Sequence, residues 1–191
     1  MNKIIGILGM QGAIAEHQEI LLQIPHTKTR IVKTAKDLDC IDGLILPGGE
    51  STAIGKLLDY FSLKEILQQK IISGLPVFGT CAGLILLAKN IENQTNTHLA
   101  TMDITVKRNG YGSQLDSFST NLLILTIDKN MPIPLVFIRA PYITKTGNDV
   151  QILATLDNKI IAARQKNMLV SSFHPELTCD LRFHQYFLSM I

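Results

Sequence analysis

The sequence predicts an α/β protein: a doubly wound, mostly parallel sheet followed by a strand-rich C-terminal half. Two observations carry this. Across the first half, short runs that are apolar throughout alternate with segments of helical periodicity. Strands of that kind are buried on both faces by helices, the arrangement of a parallel sheet. The second half is instead dense in short strand-like segments, two of them joined by Asp157-Asn158, a hairpin signal.

The elements follow in chain order. Ile4-Ile5-Gly6-Ile7-Leu8 is a strand, residues 13–24 a helix and 30–33 a second strand. Gly43-Leu44-Ile45-Leu46 is a third strand, closed by Pro47-Gly48-Gly49. Segments 52–60 and 63–72 place apolar residues at helix spacing. Pro76-Val77-Phe78 opens a fourth strand, with a helix at 84–90. Strands are then expected at 104–107, 122–127, 135–139, 152–156, 160–163 and 169–173, before a closing helix at 181–190.

A chain of 191 residues suffices for one α/β domain with a sizeable core and is short for two, so residues 1–191 are expected to form one domain. Hydrophobic residues make up 46% and mean hydropathy is +0.21, which argues for extensive burial and against disorder. The net charge is +2 with no basic block, so nucleic acid and anionic membranes are poor candidate partners. Cys40, Cys81 and Cys179 show no CxxC spacing, and three cysteines cannot all pair. That suits a reducing compartment better than a disulfide framework or a zinc site. The apolar run at 4–10 is short, and Gln11, Glu16 and His17 follow where a signal peptide needs small residues. No apolar run approaches the ~20 residues of a membrane span, and the expected location is the cytoplasm.

Gly79-Thr80-Cys81-Ala82-Gly83 lies between an expected strand and an expected helix. It is a G-x-nucleophile-x-G elbow with cysteine at its apex, which exposes the thiol at the carboxyl end of the sheet. The N-terminus of the next helix favours a thiolate and offers a backbone N–H to an oxyanion. Taken alone, a glycine-bounded turn can equally hold a buried cysteine. A thiol nucleophile needs a base, and the base an orienting group. Phe173-His174-Pro175-Glu176 offers both after the last strand, and Pro175 restricts the direction of the imidazole. Cys81, His174 and Glu176 are therefore read as a thiol triad. His17, His26, His98 and His184 occur in helical or loop contexts without a partner pattern, and solvated or structural roles suit them.

Pro47-Gly48-Gly49-Glu50-Ser51-Thr52 ends the third strand and opens a helix. Its glycines permit positive φ and close approach of a ligand to backbone N–H groups. The plainer reading is a turn capped by Ser51 or Thr52. A phosphate loop is excluded, because Gly49 and Gly55 are one residue too far apart and Leu57 stands where a magnesium ligand belongs. The 6–12 segment likewise lacks dinucleotide-binding spacing. Arg108, in Arg108-Asn109-Gly110-Tyr111-Gly112, and Arg139, in Ile138-Arg139-Ala140-Pro141, follow strands; each can clamp a carboxylate or form a surface ion pair.

Together, Pro47-Gly48-Gly49-Glu50-Ser51, Gly79-Thr80-Cys81-Ala82-Gly83 and His174-Pro175-Glu176 resemble the class I glutamine amidotransferases. Within that group, Gly6-Ile7-Leu8-Gly9-Met10-Gln11-Gly12, Arg108-Asn109, Asp116-Ser117-Phe118 and Phe137-Ile138-Arg139-Ala140-Pro141 resemble the glutaminase subunits of pyridoxal 5′-phosphate synthase. The resemblance covers the whole chain and implies the flavodoxin-like fold of that class, with no cofactor or metal. It implies that Cys81 attacks the side-chain amide of L-glutamine, His174 protonates the leaving ammonia and Glu176 orients His174. It also implies an oxyanion hole at Gly48, Gly49 and Ala82, and glutamine contacts at Gly49, Glu50, Ser51, Arg108, Ile138 and Arg139. The implied partner is a (β/α)8-barrel synthase subunit whose docking activates the glutaminase. Gln11, in a turn at the same sheet edge, is expected on the docking face. If the Gly48-Gly49 peptide rests with a carbonyl toward the substrate oxygen, docking would have to flip it. Two alternatives stay open: a thiol hydrolase of similar architecture acting on another substrate, and a non-catalytic amidotransferase-like module.

Overall fold

In the computed structural model, which describes residues 2–110 and 117–191, the all-apolar runs become strands with helices against both faces. Tyr111, Gly112 and Asp116, named above, lie outside the described residues. The elements are β1 (Lys3–Leu8), α1 (Ile14–Leu22), β2 (Thr27–Val32), β3 (Gly43–Leu46), α2 (Ser51–Tyr60), α3 (Lys64–Ile72), β4 (Val77–Thr80), α4 (Ala82–Leu87) and β5 (Ala88–Ile91). They continue with β6 (Met102–Lys107), β7 (Ser117–Leu122), β8 (Ile133–Ile138), β9 (Tyr142–Thr146), β10 (Gln151–Leu156), β11 (Lys159–Gln165), β12 (Met168–Ser171) and α5 (Arg182–Leu188).

Five strands run parallel in the order β2-β1-β3-β4-β12, and the sheet continues through β11, β9, β6 and β5. β11 is antiparallel to β12, β10 and β9, so the C-terminal half makes the sheet mixed. β7 and β8 form a separate antiparallel pair. Successive residues of a strand point to opposite faces, and the core divides accordingly. Leu44, Leu46, Val77 and Val170 pack with Ile54 and Leu58 of α2, Leu67 and Ile71 of α3, and α4. Ile5, Ile7, Ile45, Phe78 and Leu169 pack instead with Leu21 of α1, Phe183 and Phe187 of α5, and Leu135 and Phe137 of β8. Each such side chain contributes about 1.5–3 kcal/mol on burial. No helix among the described residues is long and apolar enough to cross a membrane.

Three elements differ from expectation. The helix expected at 84–90 stops at Leu87, and Ala88–Ile91 joins the sheet beside β6. A run buried on every side, as residues 82–88 are, carries no period to tell helix from strand. The strand expected at 122–127 instead ends at Leu122; residues 124–128 form a turn in which the N–H groups of Ile127 and Asp128 both donate to Ile124 O. Only Ile124 of that apolar stretch is buried, while Leu123 and Leu125 are exposed. The actual strand is the polar, alternating Ser117–Leu122, anchored by Phe118 stacked on Phe137 at 4.5 Å. β9 was not expected; its sequence Tyr-Ile-Thr-Lys-Thr holds one fully buried residue, Ile143. The Asp157-Asn158 hairpin is present, both residues having positive φ (48° and 61°) as a tight type I′ turn requires.

Candidate active site

The parallel strands β1, β3, β4 and β12 end at one edge of the sheet, and the chain leaving each supplies part of one cleft. Cys81 joins β4 to α4 with φ 47° and ψ −96°, a conformation that L residues avoid. It is held by Cys81 N–H donating to Ser171 O at 2.8 Å. The flanking glycines permit the crossing: a Cβ on Gly79 would lie 2.6 Å from the Gly83 backbone, and one on Gly83 would strike the carbonyl oxygen of Leu46. The thiol Sγ lies 3.9 Å from Ile138 O at the end of β8, and the residue is 7% exposed.

His174 follows β12, its backbone N–H donating to Val136 O of β8 at 2.8 Å. Pro175 starts a single 3-10 turn, Pro175–Leu177, that returns Glu176 toward the ring. Nδ1 of His174 lies 2.7 Å from Glu176 Oε1, with both residues buried. Burial opposes a charge on His174, but hydrogen bonds to Cys81 and Glu176 and their negative charges push its pKa up to about 10. Burial would raise Glu176, yet the facing His17 and His174 hold its carboxyl below the usual range. Cys81, His174 and Glu176 are therefore brought into one line.

The glycine loop after β3 lies against this line. Neither Gly48 nor Gly49 uses the positive φ open to a glycine; the requirement is space. A Cβ on Gly48 would run into the His174 imidazole and lie 3.4 Å from Cys81 Cβ, and one on Gly49 would meet Gln11 Oε1 at 2.6 Å. Gly48 N–H donates to Thr80 Oγ1 at 3.0 Å, and Gly48 O accepts from Ala13 N–H at 3.0 Å. That carbonyl is thus engaged by the start of α1 and is not free to face a substrate oxygen. In a trans peptide the Gly49 N–H points the opposite way. Ala82 is the first residue of α4, where an N–H has no intrahelical acceptor.

Glu50, not Ser51 or Thr52, caps α2: its carboxylate accepts from Thr52 N–H at 3.0 Å and Ala53 N–H at 2.7 Å. Ser51 is buried, and its Oγ has no hydrogen-bond partner among the described residues. Arg108 donates to Glu50 Oε1 at 3.0 Å and to Thr52 Oγ1 at 3.3 Å. Gln11 Oε1 accepts from Glu50 N–H at 2.8 Å, which ties the turn after β1 to the glycine loop. Arg139 has φ 43° and is exposed beside Ile138. The cleft measures about 580 Å³, and Gln11, Gly48, Gly49, Glu50, Ser51, Cys81, Ala82, Arg108, Ile138, Arg139 and His174 all line it. Glu176 sits behind His174. Among the described residues no cluster of His, Cys, Asp or Glu is placed to hold a metal.

Sequence reasoning passed over the groups behind Glu176. His17 and His184, read as solvated or structural, are fully buried, with His17 Nε2 3.6 Å from Glu176 Oε2. The signal available was helix spacing, since His17 shares the inward face of α1 with Ile20 and Leu21.

The model of the SNO glutamine amidotransferase family matches residues 7–191 of the chain. A pyridoxal 5′-phosphate synthase subunit PdxT from Ruminiclostridium cellulolyticum is 53% identical over 189 residues, covering 99% of this chain and all of that one. A protein of the same name from Clostridium botulinum is 55% identical over 184 residues, 96% of this chain and 95% of the relative. A solved structure described as a glutamine amidotransferase superposes with a TM-score of 0.90 at 39% identity, covering 97% of both chains. The chain belongs to the SNO glutamine amidotransferase family.

Proposed function

We propose that this chain is the glutaminase subunit of a pyridoxal 5′-phosphate synthase, hydrolysing L-glutamine to L-glutamate and ammonia. The observation that carries the reading is the strained Cys81 elbow. It shares one cleft with the 2.7 Å His174–Glu176 pair and the Gly48-Gly49 loop, in a family of glutamine amidotransferases whose cited relatives are named as synthase subunits.

Cys81 Sγ, having given its proton to His174, attacks the side-chain amide carbon of glutamine. The oxygen of the tetrahedral intermediate takes hydrogen bonds from Gly49 N–H and Ala82 N–H, each worth roughly 2.7–4 kcal/mol in such sites. Gly48 supports this donor pair, because its own N–H is committed to Thr80. His174 passes the proton to the departing nitrogen, the C–N bond breaks, and ammonia and a glutamyl thioester result. Water, deprotonated by His174, then cleaves the thioester to glutamate and the free thiol. A pKa near 10 keeps the proton on His174 until the leaving nitrogen takes it. These steps use neither cofactor nor metal. Glu50, Ser51, Arg108, Ile138 and Arg139 hold the glutamine, the two arginines by its carboxylate.

Ammonia is useful only while shielded from water, so its acceptor docks over the cleft; the family resemblance implies that this is a (β/α)8-barrel synthase subunit, with exposed Gln11 on the docking face. Residues 1–191 act as one domain in the cytoplasm. The test is glutamate release by the purified chain with and without its synthase subunit. Release that rises on adding the subunit is the expected result; no glutamate under either condition would overturn the reading.

A further inference from the structure

Behind the triad, the polar groups do not end at Glu176. His17 from α1, Thr80 from β4 and His184 from α5 are each fully buried. His17 Nδ1 lies 3.0 Å from His184 Nε2, and His17 Nε2 lies 3.1 Å from Thr80 Oγ1 and 3.6 Å from Glu176 Oε2. Glu176 Oε2 has no hydrogen-bond partner among the described residues, its twin Oε1 being taken by His174. Thr80 Oγ1 is also the acceptor for Gly48 N–H. His17 therefore touches, within one ring, the rear oxygen of the triad carboxylate and the anchor of the glycine loop.

The proton positions follow from the charges. If His17 carried its proton on Nδ1, the bare lone pair of Nε2 would face a carboxylate. The His184 ring, accepting at Nε2, would then hold an N–H at Nδ1 with no acceptor, since that atom is unpartnered among the described residues. In the other arrangement His184 Nε2–H donates to His17 Nδ1, and His17 Nε2–H faces both Thr80 Oγ1 and the carboxylate. His184 Nδ1 is then a bare acceptor and not a stranded N–H, Thr80 Oγ1 accepts from both Gly48 and His17, and the carboxylate oxygen, 3.6 Å away, faces an N–H and not a lone pair. Burial lowers both histidines, His184 to about 3, which keeps the pair neutral. The groups facing His17 are Glu176, His174 and Glu16. A core that needed only volume would be served better by apolar side chains, because buried polar groups cost free energy unless satisfied.

We infer that His17 is a positioning residue of the glutaminase reaction: locked as the Nε2–H tautomer by His184, it aims that N–H at Glu176 and Thr80, holding the triad carboxylate and the Gly48 anchor in one register. This rests on the glutaminase reading. Glu176 keeps one oxygen for His174 because the other is fixed from behind, and a rotation of the carboxylate would misalign the imidazole over Cys81.

Two measurements test it. Nitrogen-15 spectra of the histidine-labelled full chain at pH 7 read tautomers directly and without substrate. The expected result is a neutral His17 protonated at Nε2 with His184 in the same form; a His17 protonated at Nδ1, or charged, overturns the inference. In the complex with the synthase subunit, His17→Phe should lower kcat for glutamine about 10–100-fold with KM unchanged, and His17→Gln, whose amide N–H reaches near the Nε2 position, should recover part of the loss. Should His17→Phe not fold, His184→Phe leaves His17 in place while freeing its tautomer, and should give mixed tautomers and a lower kcat. An unchanged kcat in a folded variant, or a loss carried by KM, overturns it. Failure of the glutaminase reading is a separate event, seen as no glutamate released by the wild-type complex whatever the tautomer of His17.

Discussion

The carbonyl oxygen of Gly48 accepts the N–H of Ala13 at 3.0 Å, so the turn after the first strand dictates which way the Gly48-Gly49 peptide faces. Gly12 makes this approach possible: its φ is 115°, and a Cβ there would run into that same carbonyl oxygen. Gly12→Ala should therefore displace the loop and lower kcat for glutamine hydrolysis by about 10²-fold, the cost of one oxyanion donor. Gly74→Ala is the control. Its φ is 109° but nothing lies within 4 Å of the added Cβ, so it should cost about 1 kcal/mol of stability and leave kcat alone. Equal kinetics in the two variants would dissociate the loop from catalysis.

Cys81→Ser should preserve the fold and cut glutamate release by at least ~10³-fold, since members of a triad act as a unit. A glutamine-like electrophile should label Cys81 alone, although Cys40 and Cys179 are the exposed thiols and Cys81 is buried. Mass spectrometry of the labelled peptides decides this. Label spread by exposure would remove the nucleophile assignment.

Arg108 is occupied by Glu50 at 3.0 Å, whereas Arg139 lies exposed in the cleft. Truncating either should raise KM for glutamine with kcat less affected, because a carboxylate clamp acts in ground and transition states alike. Arg139→Lys should recover little, an ammonium being unable to make a two-point contact. Glu50→Gln should also raise KM, through the position of Arg108 and the cap of α2. Steady-state kinetics in the presence of the synthase subunit separate these effects, and wild-type KM in both arginine variants would return them to surface ion pairs.

The pH dependence has a definite sign. His174 is raised from 6.5 to about 10 by contacts with Cys81 and Glu176 that the folded chain makes. Its protonation therefore stabilises the fold in full below pH 6.5, and the contribution is lost as pH rises toward 10. Denaturant midpoints should fall over that window, less so in His174→Asn. Glu176→Gln removes a charge that favours the imidazolium, so the alkaline limb of glutamine hydrolysis should move to lower pH. A limb that stays in place would separate Glu176 from the proton on His174.

Much of this was legible in the chain. The strands that release the glycine loop, the thiol and the imidazole are mostly apolar, and the chain changes composition abruptly at Pro47-Gly48-Gly49, Gly79-Thr80-Cys81 and His174-Pro175. What was not legible depends on distant contacts. Ser117–Leu122 is polar and alternating and becomes a strand only because β8 pairs with it, and Ala88–Ile91 leaves a helical run because β6 accepts it. The cap on α2 passed from Ser51 to Glu50, a choice made by side-chain reach that no one-residue rule decides. His17 and His184 are 167 positions apart, and nothing near either one announces the other.

The place of β12 has a consequence for biosynthesis. This last strand is inserted between β4 and β11, and it delivers His174 to a thiol encoded 93 positions earlier. A growing polypeptide that has passed residue 165 already carries Cys81 and its elbow sequence, but has neither the base nor the backbone acceptor at Ser171 that fixes the elbow. Contacts this remote in sequence form late. A chain cut short before β12 should therefore leave glutamine intact, whatever the state of its thiol.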